Sequence, residues 1–141
     1  MKQIKFLMLA IMAFIASATF TACSSDDDNN NTQSNYEKYQ QAVNQTVKSQ
    51  KKSNKVILLV AFGSTWEQAY DTFDKVVEDY KAQFPGWDVY LSFSSAICIN
   101  NARAGENVDP KDYYDPEHWL TAIGLAGYQQ VVVQSLQVIP C

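Results

Sequence analysis

The segment Lys55-Val-Ile-Leu-Leu-Val-Ala-Phe-Gly-Ser-Thr-Trp66 constrains the fold more than any other part of the 141-residue chain. Val56 to Phe62 is an unbroken apolar run of strand length, and it lacks the alternation of a strand with one wet face. Such a run reads as a parallel strand buried on both sides. Gly63 ends it, and Ser64-Thr-Trp-Glu67 has the form of a capping box, with Ser64 accepting from the third helical residue and Glu67 reaching back. In open α/β sheets ligands sit outside the carboxyl ends of such strands, so Phe62 to Trp66 is the first place to look for chemistry.

The following residues extend the pattern. Trp66, Ala69, Tyr70, Phe73, Val76, Val77, Tyr80 and Phe84 recur at three- and four-residue steps, predicting an amphipathic helix that Pro85-Gly86 stops. Trp87 to Phe93 reads as a second strand, and Ser94-Ser95 as the cap of a short helix, Ala96 to Ala102. A polar loop with an Asp109-Pro110 turn leads to Asp115-Pro116-Glu117, which has the cap, first-position proline and first-turn acid of a helix start. That helix carries Trp119, Leu120, Ile123 and Leu125, stops at Gly127, and is followed by a third strand, Tyr128 to Ile139. The order β-α-β-α-α-β predicts an α/β fold with a parallel sheet flanked by helices. The last strand has no covering element after it, so 55–141 is expected to be a truncated, incomplete half of a two-domain fold with an apolar sheet face left open.

The N-terminus is excluded from the fold. A basic Met1–Lys5 start, an apolar Phe6–Phe20 run shorter than the ~20 residues of a membrane span, and small residues up to Ala22 form a signal peptide, residues 1–22. Cys23, preceded by Thr21 and Ala22, resembles the lipidated cysteine of a bacterial lipobox, with Phe20 a departure where Leu is usual. The polar run from Ser24 to Asn35 reads as a solvated tether. A sparse stripe at Tyr36, Tyr39, Ala42, Val43 and Val47 predicts a loosely docked helix, so residues 23–54 are read as a lipid-anchored tether and linker helix. The chain is thus expected to be exported and held on a membrane facing the periplasm or cell surface, with simple cleavage to a soluble periplasmic protein as the alternative. A formal net charge of −4 and the lack of a basic patch interleaved with aromatics argue against nucleic acid. Cys98 and Cys141 are compatible with a disulfide in an oxidising compartment, while the apolar setting of Cys98 suits a small buried hydrophobe.

Four motifs carry a family resemblance: Val60-Ala-Phe-Gly-Ser-Thr65; Phe84-Pro85 with Val89-Tyr-Leu-Ser-Phe-Ser-Ser95; Gly124-Leu-Ala-Gly-Tyr128; and Val131-Val-Val-Gln-Ser-Leu-Gln-Val-Ile-Pro140. Together, across residues 55 to 140, they resemble the anaerobic sirohydrochlorin cobaltochelatases, class II tetrapyrrole chelatases. The resemblance implies two similar α/β halves with a tetrapyrrole between them, and insertion of a divalent metal, cobalt, as two pyrrole protons leave. It also implies that the histidines and carboxylate for metal and protons lie in the second half, so no metal ligand and no catalytic residue is expected in this one. Where the family has Ser-Leu-His on the third strand, this chain has Gln137, which hydrogen-bonds but does not replace an imidazole.

The substrate-contact candidates are therefore Phe62, Gly63, Ser64, Thr65, Ser94, Ser95 and Gln137. Ser64 and Thr65 either line the tetrapyrrole cleft or only cap the helix. His118, the single histidine, matches no family ligand position and reads as a surface or capping residue. Trp66 and Trp119 follow helical stripes and read as core. Three functions are compatible with these residues: a chelatase enzyme, a tetrapyrrole- or metal-binding lipoprotein without catalysis, and an inactive truncated product. A homo-oligomer or a complementing second half is the expected protein partner.

Overall fold

The computed structural model describes residues 34–105 and 111–137. The expected signal peptide, the expected lipidation site Cys23, the expected Asp109-Pro110 turn and Cys141 lie outside the described residues. The elements are α1 (Asn35–Gln50), β1 (Lys55–Ala61), α2 (Gln68–Gln83), β2 (Asp88–Phe93), α3 (Ala96–Ala104), α4 (Pro116–Leu125) and β3 (Gln130–Ser135). The three strands form a parallel sheet in the order β2-β1-β3, with Val60 of β1 opposite both Ser92 and Ser135. The fold is α/β with helices flanking a parallel sheet, as the periodicities predicted.

Strand β1 is central because both its faces are apolar. Ile57, Leu59 and Ala61 join Val89, Leu91 and Phe93 beneath Tyr70 and Phe73 of α2 and Cys98, Ile99 and Ala102 of α3. Val56, Leu58 and Tyr90 point the other way, against Val43 and Val47 of α1 and Trp119, Ala122 and Ile123 of α4. Tyr90 and Trp119 stack with ring centroids 4.8 Å apart, so Trp119 is core as expected. At the amino ends of the strands, the Asp88 carboxylate accepts from the amides of Lys52 and Ser53 and from the Tyr128 hydroxyl at 2.7 Å. Burial, then the bonds to Tyr90 and Asp88, push the Tyr128 hydroxyl far above the usual tyrosine range, so it stays a donor.

Helix α1 corrects the sequence reading. Expected as a loosely docked linker, it buries Val43 and Val47 completely and covers the second face of the sheet. Polar contacts fix it to α4 and its C-terminal end: Tyr36 Oη donates to Glu117 Oε1 at 2.9 Å, Gln40 Nε2 to the His118 carbonyl at 3.0 Å, and Lys51 Nζ to the Ala126 carbonyl at 2.7 Å. The stripe looked sparse because the aromatic and amide side chains beside it also find partners on α4. The expected open sheet face is therefore closed. Apolar exposure is found instead on β3, where all six residues are exposed.

His118 is the second correction. It is buried, with Nδ1 2.7 Å from Asp115 Oδ2 and its ring 4.4 Å from that of Tyr36, because α1 lies over the first turn of α4. Asp115 caps that helix, accepting from the His118 amide at 3.0 Å. Burial alone would raise the Asp115 pKa, but the bonds from the His118 side chain and backbone outweigh it and hold the carboxyl below the usual range. A depressed folded-state pKa contributes stability above the unfolded value of about 4 and loses it as pH falls through the folded value. Asp115→Asn, which keeps the cap acceptor and removes the charge, is expected to lower the melting temperature at pH 7, with the deficit shrinking as pH falls through the folded value. A deficit that does not shrink on acidification would contradict this assignment.

Candidate functional site

The carboxyl ends of the three strands lie side by side and continue into three interlocked loops. Ser94 N donates to the Ala61 carbonyl at 2.9 Å and Ser95 N to the Phe62 carbonyl at 3.1 Å, carrying the β1–β2 ladder past the strands. On the other side, Leu136 N donates to the Val60 carbonyl at 2.8 Å. Because β1 lies between β2 and β3, the loops after the outer strands can meet only across its end. They do so where Gln137 Nε2 donates to Ser94 Oγ at 2.7 Å. All seven sequence-derived contact candidates therefore belong to one edge of the sheet.

Local geometry assigns them different tasks. Gly63 turns the chain with φ +100°, packed so closely that an added Cβ would lie 2.7 Å from Cys98 Cβ. Ser95 caps α3 by accepting from the Cys98 amide at 3.4 Å. Ser64 differs from its expected role: its Oγ accepts from the Trp66 amide at 2.9 Å, a turn within the loop, and α2 begins only at Gln68. The turn bonds Ala69 N to Trp66 O and Tyr70 N to Glu67 O delay the helix, so Ser64 and Thr65 belong to the loop. For the same reason Trp66 is not core. It stands 73% exposed, with Phe62 at 63% and, across the edge on α3, Ile97 at 74%.

Ile97 was missed in the sequence because a single apolar residue in a short helix carries no periodic signal. Phe62 to Trp66, Ser94, Ser95, Ile97 and Gln137 include no carboxylate, imidazole or amine. This surface can stack on a flat apolar ligand and offer hydroxyl and amide hydrogen bonds. It supplies no strong ligand for a borderline metal and no base near neutral pH. Among the described residues no group of three or more His, Cys, Asp or Glu is placed to hold a metal. Cys98, beneath the loop, is free and buried.

The model of the family described as cobalt chelatase (CbiK) matches residues 55–141, which hold the whole sheet and this edge. The chain belongs to that family. It is 30% identical over 89 residues to the sirohydrochlorin cobaltochelatase of Salmonella typhimurium, covering 60% of this chain and 31% of that protein. The chain thus spans about a third of the length of the curated relative it matches. No solved structure matches it. The family match includes β1, α2, β2, α3, α4 and β3 but not α1.

Proposed function

We propose that the carboxyl edge is one wall of a tetrapyrrole-binding surface and that the chain serves cobalt insertion into a sirohydrochlorin-like substrate. The observation that carries this is the Gln137–Ser94 bond, which joins the outer loops into a polar floor beside exposed Phe62, Trp66 and Ile97. A tetrapyrrole is a flat apolar ring rimmed by carboxylates, and apolar side chains beside hydroxyl and amide groups match both of its parts. Cobalt is the second substrate. The imidazole and carboxylate groups that receive it and take the two pyrrole protons come from outside this edge.

The presence of Gln137, a neutral amide, favours a second reading of the same surface: binding of a tetrapyrrole without metal insertion. One titration with two readouts separates them. Sirohydrochlorin added to the protein is expected to shift its visible band saturably at roughly micromolar concentration, about 8 kcal/mol of binding free energy. Cobalt is then added, and the metallated spectrum is followed against the protein-free rate. Acceleration upholds insertion by this chain, binding without acceleration upholds the carrier reading, and no band shift sinks both.

A further inference from the structure

The serine hydroxyls at the carboxyl edge all face their protein partners in the same sense. Ser64 Oγ accepts from the Trp66 amide, Ser95 Oγ from the Cys98 amide and Ser94 Oγ from the Gln137 side chain. Each contact uses a lone pair of the serine oxygen, and among the described residues none of these hydroxyls gives its proton to a protein acceptor. Ser49, Ser53 and Ser92, away from the edge, do the reverse and donate to the carbonyls of Thr46, Gly86 and Leu59. A hydroxyl has one proton and two lone pairs, so a serine whose oxygen already accepts has its proton left for a ligand.

We infer that this edge selects the ionised rim of a tetrapyrrole and that Ser94, positioned by Gln137, is the residue that receives a peripheral carboxylate. The inference rests on the tetrapyrrole-wall reading above and adds what that wall discriminates. A carboxylate only accepts hydrogen bonds, so it matches a hydroxyl whose proton is unspent. Ser94 is the exposed one of the three serines, and the segment Val89–Gly105 around it contains no acidic residue to repel an anion. Helix α3 begins at Ala96, which puts its positive end close by along the chain. Gln137 acts through Ser94 and not on the ligand. Its amide, 2.7 Å from Ser94 Oγ, fills a lone pair, turns the proton away from the loop and strengthens the hydroxyl as a donor. An esterified rim keeps the flat ring but offers only a neutral, weaker acceptor at this position.

Visible-band titrations with sirohydrochlorin and with its fully methylated ester, in one buffer and detergent, read the selectivity as a ratio of two dissociation constants. Ser94→Ala is expected to weaken binding of the free acid about tenfold, the loss of one hydrogen bond to a charged acceptor, and to leave the ester unchanged. Its far-ultraviolet spectrum is expected to match the parent. Gln137→Leu is expected to weaken the acid about threefold in the parent and to have no effect in Ser94→Ala, the coupling of a residue that works through another. A merely structural role of either side chain would move both ligands together. A Ser94→Ala variant that keeps the parent's ratio overturns the carboxylate assignment while the tetrapyrrole wall stands. Additive losses in the double variant overturn the positioning role of Gln137. No band shift with either ligand overturns the wall and this inference with it.

Discussion

Gly63→Ala is expected to destabilise the protein by roughly 3 kcal/mol or more, the sum of two independent costs. The backbone at φ +100° is one that L side chains rarely adopt, and holding a residue there costs about 1–3 kcal/mol. The new methyl would also lie 2.7 Å from Cys98 Cβ and 2.8 Å from Phe93 Cδ2. Neither neighbour can yield easily. Cys98 Cβ is tied to the backbone of α3, while Phe93 is fully buried, stacked on Tyr113 at 4.1 Å and edge-on to Phe73 at 4.9 Å. Overpacking of this kind adds about 1–3 kcal/mol. Denaturant unfolding of parent and variant measures the sum, and a midpoint change equivalent to less than about 0.5 kcal/mol, the range of ordinary surface substitutions, would refute the close approach of the loop to α3.

Val47→Asp is expected to cost about 4 kcal/mol, the range for a buried polar or charged group without a partner. Val47 has no exposed surface and sits on α1 in the cluster containing Val56, Leu58 and Ile123. Gln41→Asp, on the exposed side of the same helix, should stay within about 0.5 kcal/mol of the parent. Urea unfolding of the two variants tests whether α1 is part of the core. If it were only a linker, both substitutions would be equally silent.

The strands, the helix over 68–83 and the caps of α3 and α4 were legible because each has a local signal: an apolar run, a 3.6-residue stripe, Ser95, or Asp115-Pro116. The site candidates also fell on one edge, because parallel βα units deliver every strand's carboxyl end to the same side. What stayed hidden was tertiary. The docking of α1 depends on partners across the fold, such as Glu117 for Tyr36, and it is this docking that buries His118. Trp66 follows the helical spacing, but the turn bonds at Glu67 and Tyr70 start the helix later and leave the indole outside. The Gln137–Ser94 bond joins loops 43 residues apart and has no trace in either local sequence.

Trp66 and Ile97 provide the most direct test of the proposed ligand edge, because both side chains stand largely exposed. The measurement is the sirohydrochlorin dissociation constant of the parent and of the Trp66→Ala, Ile97→Asp double variant, taken from the visible band under identical conditions. Loss of the stacking indole and placement of a carboxylate against an anionic ring are expected to weaken binding at least about tenfold, or ~1.4 kcal/mol, with the melting temperature unchanged. Equal dissociation constants for the two proteins would contradict the assignment of this edge as the tetrapyrrole wall.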